Sequence, residues 1–398
     1  MHVLVLNEYF PPDTSATAKN AALVVAALAE RHRVTVLAGR PSYDPTERHP
    51  PYLLRREVRG NLTVERVGST AFPRFGMKGR VSNYLSYLAL AVPRALAIDP
   101  DVIVAMTDPP IEGIVGALVS RLSGRPFVYN LRDMYPDMAL GGDILRPAPW
   151  VDRWEELHRR ALRHAARVIV LGEDMRERIL AKGIDPARIS IVRDAVPFPE
   201  SQPSTNHPVV RELRGQFRFV LVHAGNLGFY GAWQTLIRAA QMLEPEGVGL
   251  VFIGEGARKQ QIEEAARGCA NIRFLPFRPA SEVPHVMAAG DLHIVTVKRG
   301  LEGVVVPSKV YNILAAGRPL LAVATQKTEV ARFAERDGCG LAANPVDPAA
   351  VAEAVRVVLQ NGNRLANLSH RARELARSYD RVGQLRTFVE AIETAVRP

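Results

Sequence analysis

The amino-acid sequence predicts an α/β fold with two domains, each built on a parallel sheet that helices cover on both faces. Short, continuously apolar segments such as HVLVLN alternate with helix-like segments along the whole chain, which is typical of buried parallel strands. The chain has 398 residues, a length that suits two or three ordinary domains. Residues 196–210 are rich in Pro, Ser and Thr and lack periodicity, so they predict a linker between two domains.

Strands and helices are expected in the same alternation in both halves. The predicted strands of the first half are HVLVLN, RVTVLAG, NLTVERV, DVIVAM, PFVYNL and RVIVLG. Helices are expected at 16–30 and at 80–97, where Pro93 predicts a kink or a break. The predicted strands of the second half are FRFVLVHAG, GLVFIG, NIRFLPF, LHIVTV and PLLAVA. Its helices are expected at 232–243, 257–268, 309–316, 348–360, 363–378 and 382–396.

The composition is that of an ordinary globular protein. Hydrophobic residues make up 47% and charged residues 23%, which excludes a collagen, a disordered scaffold and a disulfide-stapled miniprotein. Two cysteines are too few for a disulfide framework and fit a reducing, cytoplasmic location. No segment approaches the ~18 apolar residues of a membrane-spanning helix, and the N-terminus predicts a strand rather than a signal peptide.

The net charge of +10 allows nucleic acid, an anionic membrane or an acidic small substrate as a partner. Residues 51–100 hold 8 basic and 3 acidic residues. Aromatic residues are interleaved with the basic ones, namely Phe72, Phe75, Tyr84 and Tyr87. An anionic membrane surface bound by residues 55–94 and an ordinary amphipathic helix fit equally well. Nucleic acid is not an expected partner, because no nucleic-acid-binding motif accompanies the charge.

Two glycine-rich turns are expected to line the active site. Ligands of open parallel sheets bind beyond the carboxyl ends of the strands, so a cleft between the domains is the default site. In AGNLGFYG, Gly225 and Gly228 would let the backbone approach a phosphate, although a turn without a ligand fits equally well. The motif FIGEGARKQ contains Gly254 and Gly256 but lacks the third glycine of a dinucleotide-binding fingerprint. Glu255 between them could accept hydrogen bonds from a nucleoside.

The segment 297–322 carries the densest set of polar candidates, namely Lys298, Arg299, Glu302, Ser308, Lys309 and Asn312. Pro307 suits the first turn of a helix, so Ser308 and Lys309 would lie where backbone N–H groups are unpaired. A helix N-terminus together with a lysine suits a leaving diphosphate. A capped helix with solvated charges is the alternative.

Three strand ends of the first half bring polar and aromatic residues to one edge of the sheet. The candidates are Asn7, Tyr9, Thr107, Arg132, Asp133, Tyr135 and Asp137. Asp133 is the strongest of them, because it directly follows a buried strand. The D-x-D motif at residues 99–101 precedes a strand and so lies at the wrong end of the sheet for a metal site. No zinc spacing, G-x-S-x-G or Walker motif is present, so neither a metal nor a cofactor is predicted.

Taken together and in this order, the motifs YFPP, PFVYNLRDMYPD, AGNLG and VVPSKVYNILAAGRP resemble a GT-B glycosyltransferase of the retaining family 4. The resemblance covers nearly the whole chain. It is strongest to the branch that builds bacterial surface polysaccharides, including amino-deoxysugar transferases of O-antigen assembly. It implies two facing Rossmann-like domains, an acceptor-binding domain at 1–195 and a nucleotide-sugar-binding domain at 211–379. The last helix, 380–398, would return to the first domain.

The resemblance also implies roles for the candidate residues. Phe277 and Arg278 would lie near the base, Glu302 near the sugar hydroxyls and Asp133 opposite the reacting sugar. Together with the motifs, it predicts a donor site that comprises Gly225, Asn226, Gly228, Glu255, Phe277, Arg278, Lys298, Arg299, Ser308, Lys309 and Asn312. The acceptor would be bound by Asn7, Tyr9, Thr107, Arg132, Tyr135 and Asp137.

Two positions depart from the family pattern. Asn312 stands where many members carry a glutamate that binds the ribose, and an amide keeps hydrogen bonding but lacks the charge. Tyr230 replaces a lysine of the phosphate-binding turn. We therefore expect the diphosphate charge to be neutralised by Lys309, Lys298 and Arg299.

The predicted activity is a metal-independent transfer of a sugar from a nucleoside diphosphate, with UDP as the expected nucleotide and retention at the anomeric carbon. Asp133, Lys309 and Glu302 are the predicted catalytic residues. The acceptor would be a glycan or a polyprenyl-diphosphate-linked sugar at the inner face of the cytoplasmic membrane. A UDP-sugar 2-epimerase with the same fold is one alternative. The other is a degenerate, non-catalytic scaffold, which Asn312 would favour.

Overall fold

The computed structural model describes residues 1–42, 50–72, 77–198 and 204–396, which form two sheets flanked by helices. The N-terminal sheet consists of β1 (His2–Leu6), β2 (Arg33–Ala38), β3 (Leu54–Arg59), β4 (Leu62–Val67), β5 (Val102–Ala105), β6 (Phe127–Asn130), β7 (Arg167–Val170) and β8 (Ile189–Ile191). Its strand order is β3-β4-β2-β1-β5-β6-β7-β8, and all neighbours are parallel except β3 and β4.

Helices cover both faces of this sheet. They are α1 (Ala16–Ala29), α2 (Met77–Leu96), α3 (Glu112–Ser123), α4 (Asp137–Gly141), α5 (Pro149–His164) and α6 (Glu173–Ala181), with one short 3-10 turn at Pro186–Arg188. Alternate residues of β1 face opposite cores. Leu4 and Leu6 pack in a cluster with Tyr87 of α2, whereas Val3 and Val5 pack in a cluster with residues of α1. This two-sided burial explains why the strands are continuously apolar.

The C-terminal sheet is entirely parallel. It consists of β9 (Phe219–Ala224), β10 (Val248–Ile253), β11 (Ile272–Leu275), β12 (Leu292–Thr296), β13 (Leu320–Val323) and β14 (Gly340–Ala343), in the order β11-β10-β9-β12-β13-β14. Strand order reverses between β9 and β12, as it does between β1 and β5, and ligands of such sheets bind at these points.

The helices of the second domain are α7 (Pro208–Arg214), α8 (Trp233–Leu243), α9 (Lys259–Ala265), α10 (Val283–Ala289), α11 (Lys309–Ala315), α12 (Glu329–Glu335), α13 (Pro348–Leu359) and α14 (Gly362–Arg377), with 3-10 turns at Glu244–Glu246 and Ala280–Glu282. Among the helices that the structure describes, none combines the length and the apolar character needed to cross a membrane.

The chain passes between the domains twice. The last helix, α15 (Arg381–Val396), returns to the first domain, where it contacts α1 and β7. Val196 and Asp380 form an isolated parallel bridge, so the two crossings run side by side. Of the linker predicted at 196–210, residues 199–203 lie outside the described residues, and α7 already begins at Pro208.

Several local features differ from the sequence prediction, which included neither β8 nor β14. Strand β3 was not expected, because LRREVR is exposed at nearly every position and carries no buried apolar run. It forms an antiparallel edge with β4, and an edge strand can remain solvated on both faces. Helix α2 continues through Pro93 to Leu96, so of the predicted kink or break the structure excludes the break.

Within residues 55–94, Arg66 and Arg94 serve contacts inside the fold, and Arg55 and Arg59 form ion pairs at the surface. Arg66 is buried and donates hydrogen bonds to backbone carbonyl oxygens that include that of Phe10. Arg94 makes two hydrogen bonds to the buried carboxylate of Glu65, at 2.5 and 2.8 Å. In the β3 hairpin, ion pairs join Arg55 and Arg59 to Glu57. Phe75, named with this segment, and the basic residue Arg74 lie outside the described residues.

Candidate functional site

Two glycine-rich loops meet at the carboxyl ends of β9 and β10. Gly225 has a φ of +145° and Gly254 a φ of +148°, conformations that side chains disfavour. A Cβ atom on Gly254 would lie 2.0 Å from the carbonyl oxygen of Gly225, so only glycine fits there. The backbone N–H of Leu227 also donates to the carbonyl of Glu255 at 2.9 Å. The loops are therefore joined backbone to backbone.

Lys309, the first residue of α11, points its amino group at this junction. Its Nζ lies 3.1 Å from both ring nitrogens of His223, and a Cβ on Gly225 would be 3.5 Å from it. Within the described part of the chain, no carboxylate lies within ion-pair distance of Nζ. Burial without a counter-charge lowers the pKa of Lys309 to about 7. The amino group is thus placed to gain from a ligand that supplies negative charge.

His223 was not singled out by the sequence analysis. It lies at the end of β9 with 1% of its surface exposed and contacts the ring of Trp233 edge-on, at 4.9 Å between ring centroids. Burial, followed by the charge of Lys309, holds the pKa of His223 well below its usual value, so the imidazole is neutral. The available signal was a histidine at the end of an otherwise apolar strand, FVLVHA.

The rest of the first loop surrounds the same junction. The side chain of Asn226 is exposed, whereas Gly228 is buried and its carbonyl oxygen accepts a hydrogen bond from Trp233 Nε1 at 2.8 Å. A Cβ on Gly228 would lie 3.0 Å from Asn226 Nδ2, so the amide folds over the turn.

Phe277 and Arg278, predicted near the base, and Glu255, predicted to accept hydrogen bonds from a nucleoside, differ in their surroundings. Phe277 is 57% exposed, and its ring lies 3.3 Å from where a Cβ on Gly254 would be. Arg278 is engaged in ion pairs with Glu212 and Glu282. Glu255 is exposed and pairs with Lys259 at 2.7 Å. Of the three side chains, the ring of Phe277 lies beside the glycine loops, whereas Glu255 contributes its backbone to them.

Ser308 and Asn312 accompany Lys309 on α11. Ser308 is the N-cap residue and makes no side-chain capping bond, and both Ser308 and Asn312 are exposed. Residues four apart lie on one face of a helix, so the hydroxyl and the amide face the same side. Pro307 precedes the N-cap, so the prediction that it lies in the first helical turn is wrong.

The loop before α11 contacts the other domain. Lys298 Nζ lies 2.5 Å from Asp143 Oδ2 and 3.3 Å from the carbonyl oxygen of Gly141. Arg299 is exposed and lines an open cavity of about 630 Å³ at the carboxyl ends of β13 and β14, together with Glu302 and Lys327. Lys298 thus bridges the domains, whereas Arg299 faces the cavity.

Glu302 is held by local hydrogen bonds. Its Oε1 accepts from the backbone N–H of Gly300 at 3.1 Å and from the Thr325 hydroxyl at 2.9 Å. Partial burial raises the pKa of Glu302, but these hydrogen bonds and a neighbouring positive charge outweigh it, so the net shift is downward. The carboxylate therefore stays ionised at neutral pH.

Asp133, after β6, is a titratable carboxyl group at the carboxyl end of the first domain's sheet. Burial, then the negative charge of Asp108, raises its pKa to about 6, against the opposing charge of Arg132. Across the cleft, burial and then the charge of Asp133 raise the pKa of Tyr230. Tyr230, on the loop that carries Gly225 and Gly228, also contacts the first domain, since a Cβ on Gly142 would lie 2.8 Å from its ring. A carboxyl group with such a pKa can accept a proton near neutral pH.

Other predicted acceptor residues lie deeper. Asn7, Tyr9 and Thr107 are each at most 2% exposed, at the carboxyl ends of β1 and β5. Asn7 Nδ2 donates to the carbonyl oxygen of Tyr9 at 2.7 Å. Tyr135 stacks on Trp154, with 5.9 Å between ring centroids and an interplanar angle of 8°. Tyr135 is partly exposed, unlike the first three residues.

Two predicted acceptor residues are engaged in ion pairs within the first domain. Arg132 pairs with Asp194. Asp137 accepts from Arg178 at 2.7 Å and from Lys182 at 2.9 Å, which lowers its pKa despite burial. The structure therefore surrounds Asp137 with cations and leaves Asp133 beside the cleft. In the described part of the chain, no group of three or more His, Cys, Asp or Glu side chains could hold a metal ion.

The structure has two parallel-sheet domains whose strand-end loops face each other, with a lysine over a glycine loop on one side and a carboxyl group on the other. This arrangement is that of the GT-B class of proteins. Two family models match the chain, "Glycosyl transferase 4-like domain" over residues 16–195 and "Glycosyl transferases group 1" over residues 218–361. The chain belongs to the GT-B glycosyltransferases of family 4.

Two curated relatives are described as glycosyltransferases. The chain is 28% identical to the probable glycosyltransferase WbjE of Pseudomonas aeruginosa over 265 residues, which cover 64% of this chain and 65% of that protein. It is 27% identical to WcaI of Escherichia coli, a putative colanic acid biosynthesis glycosyl transferase, over 69% of each protein. The matched region thus spans about two thirds of each relative.

Solved structures share the fold over the full length. HepE of Anabaena in complex with UDP-glucose aligns with a TM-score of 0.72 at 18% identity, covering 99% of this chain and 100% of HepE. Sucrose-phosphate synthase of Thermosynechococcus elongatus aligns with a TM-score of 0.77 at 13% identity, covering 99% and 98%. At such low sequence identities, the similarity shows a shared fold only.

Proposed function

We propose that the protein transfers a sugar from a nucleoside diphosphate, UDP in the first instance, to a glycan or polyprenyl-diphosphate-linked acceptor during cell-surface polysaccharide synthesis. The observation that carries the proposal is the amino group of Lys309, which lies over Gly225 without a carboxylate partner among the described residues. The UDP and UDP-glucose bound to HepE support the choice of nucleotide, and the name of WcaI supports the pathway.

In the proposed reaction, the bond between the anomeric carbon and the diphosphate oxygen breaks, and a bond from that carbon to the acceptor oxygen forms on the same face. Negative charge grows on the leaving diphosphate, where protonated Lys309 would stabilise it. Asp133 would accept the proton that the acceptor hydroxyl loses. Glu302 would bind sugar hydroxyls, and closure of the domains would exclude water.

A donor screen tests this function. Thermal shift and nucleotide release are measured with UDP-, GDP-, ADP- and dTDP-sugars, because a ligand of the native state raises its apparent stability. We expect a UDP-sugar to stabilise the protein and to release UDP only when an acceptor is present. An isomerised UDP-sugar without UDP release would instead identify an epimerase, and stabilisation by GDP-sugars alone would refute the UDP assignment.

A further inference from the structure

The open cavity at the carboxyl ends of β13 and β14, which we call the β13–β14 cavity, touches the proposed reaction only at Glu302. Its volume of about 630 Å³ lies within the range of pockets that bind small molecules. The polar side chains at its rim include those of Arg299, Glu302, Thr325, Lys327, Glu335 and Asn344. The residues that line it all belong to the second domain, so the cavity does not depend on how the domains close.

The β13–β14 cavity lies to one side of the proposed diphosphate site. Strand β12 separates β13 from β9, the strand that leads to Gly225. Neighbouring strands lie about 4.8 Å apart, so the ends of β9 and β13 are roughly 10 Å apart and the end of β14 lies farther away. A diphosphate bound by Gly225 and Lys309 would therefore leave the cavity unfilled.

The floor of the cavity is formed by small apolar residues. Ala324 follows β13, and Ala342 and Ala343 are the last residues of β14. Ala324 and Ala343 are buried, and their methyl groups leave space that larger side chains would fill. Such a floor suits the C–H face of a sugar ring. The described residues that line the cavity include no aromatic ring on which a nucleobase could stack.

The rim of the cavity carries charges of both signs. Arg299 and Lys327 are exposed, and within the described ranges of the chain no carboxylate lies at ion-pair distance from either. Glu302 and Glu335 bring carboxylates to the same rim. An ion of either sign would be attracted by one pair and repelled by the other. The rim therefore favours a neutral ligand with many hydrogen-bonding groups.

Hydroxyl groups match this rim better than other neutral groups do. Lysine, arginine and the amide nitrogen of Asn344 donate hydrogen bonds, whereas carboxylates accept them. The backbone N–H of Val346 donates to Asn344 Oδ1 at 3.2 Å, which orients the amide. Because a hydroxyl group both donates and accepts, neighbouring hydroxyls of one sugar can bind a cation and a carboxylate together.

The cavity also borders the first domain. The carbonyl oxygen of Glu302 accepts a hydrogen bond from Arg178 of α6 at 3.1 Å. The turn that begins at Thr325 leads to Glu329, whose backbone N–H donates to Asp174 of α6 at 2.9 Å. A sugar held in the cavity would therefore lie along the edge of the interdomain cleft.

We propose that the β13–β14 cavity is a second carbohydrate-binding site, which holds a neutral hexose unit of a glycan beside the cleft while the donor occupies the glycine loops. The role of that glycan as acceptor or product rests on the proposed function, whereas the hexose site rests on the cavity alone.

Saturation-transfer NMR with methyl α-glycosides of glucose, galactose and mannose tests the proposal. These hexoses carry no diphosphate, so none of them can act as a donor. Each is added at about 10 mM to the full chain, with and without excess UDP, because a few hydrogen bonds support a Kd in the millimolar range. We expect at least one glycoside to bind in both conditions. Lys327→Ala/Asn344→Ala should weaken its binding by roughly tenfold or more, since two hydrogen-bond donors are lost.

Arg364→Ala/Asn367→Ala is the matched control, because it removes a cation and an amide from exposed positions on α14 of the same domain. It should bind the glycoside as wild type does, and thermal unfolding checks that both variants are folded. Equal loss in both variants, binding of none of the three glycosides, or displacement of the glycoside by UDP or by the UDP-sugar that the donor screen selects would overturn the proposal. Glycoside binding without any sugar transfer would refute the proposed function and leave the second site intact.

Discussion

Asp174 and Glu329 cap each other's helices across the domain interface. Asp174, in the first turn of α6, accepts from the backbone N–H of Glu329 at 2.9 Å, and Glu329, at the start of α12, accepts from the backbone N–H of Glu173 at 3.1 Å. Both helix N-termini carry unpaired N–H groups and a partial positive charge, which the exchanged carboxylates satisfy. Glu329 also pairs with Arg193 at 2.8 Å.

This exchange lies beside the loop that carries Glu302. A Cβ atom on Gly303 would be 2.2 Å from the carbonyl oxygen of Asp174, so the loop touches α6 directly. Arg178 of the same helix donates to the carbonyl oxygen of Glu302 at 3.1 Å. The capping pair therefore fixes the position of a predicted sugar-binding residue relative to the first domain.

Glu329→Ala is expected to lower the free energy of unfolding by about 3 kcal/mol, because it leaves Arg193 and a helix N-terminus without their buried partner. The matched control is Glu335→Ala on the same helix, an exposed position where a change below about 0.5 kcal/mol is expected. Urea denaturation of both variants measures the difference. Similar midpoints for the two would show that the interdomain caps add little stability.

Lys309→Ala is expected to lower turnover by roughly 100-fold or more, because the growing charge on the leaving diphosphate loses its cation. Glu255→Ala serves as the control, since that carboxylate is exposed and pairs with Lys259 rather than with the site. Steady-state UDP release and a thermal melt of each variant provide the comparison. Equal rates for wild type and Lys309→Ala would remove the lysine from the mechanism.

A bell-shaped pH profile of kcat/KM is expected. Asp133 must be ionised to take a proton and ionises as pH rises through about 6, which sets the acidic limb. Lys309 must be protonated and loses its proton as pH rises through about 7 in the free protein, which sets the basic limb. Bound diphosphate favours the charged amine of Lys309, so the basic limb of the kcat profile should lie at a higher pH than that of kcat/KM. A profile that is flat between pH 5.5 and 8 would contradict both roles.

Gly254→Ala is expected to lower kcat/KM by roughly 100-fold, because the added methyl group would overlap the backbone of Gly225 and displace the loop under the diphosphate. Gly268→Ala is the matched control, for its φ is also positive, at +85°, but nothing lies within 4 Å of the added carbon. It should cost about 1 kcal/mol of stability from backbone strain and leave kcat/KM unchanged. Comparable kinetic losses in both variants would show that strain, not the loop contact, is responsible.

The parallel strands and the loops at their carboxyl ends could be predicted from the sequence, because apolar runs and glycine turns are local signals. Lys309 could be predicted as well, since it follows a glycine- and proline-marked loop. Strand β3 could not, because an exposed edge strand is polar on both faces and resembles a loop in sequence. His223 was missed because one polar residue at a strand end carries no periodic signal.

By itself the sequence determined two α/β domains, the edge at which ligands bind and the family, all of which depend on short-range patterns. Only the tertiary structure decided which charges remain available for a substrate. Arg278, Asp137 and Arg132 are engaged by partners such as Glu212, Lys182 and Asp194, each at least 45 residues away along the chain, whereas Lys309 faces neutral His223. Ion pairing depends on distance in space, and distance along the chain does not reveal it.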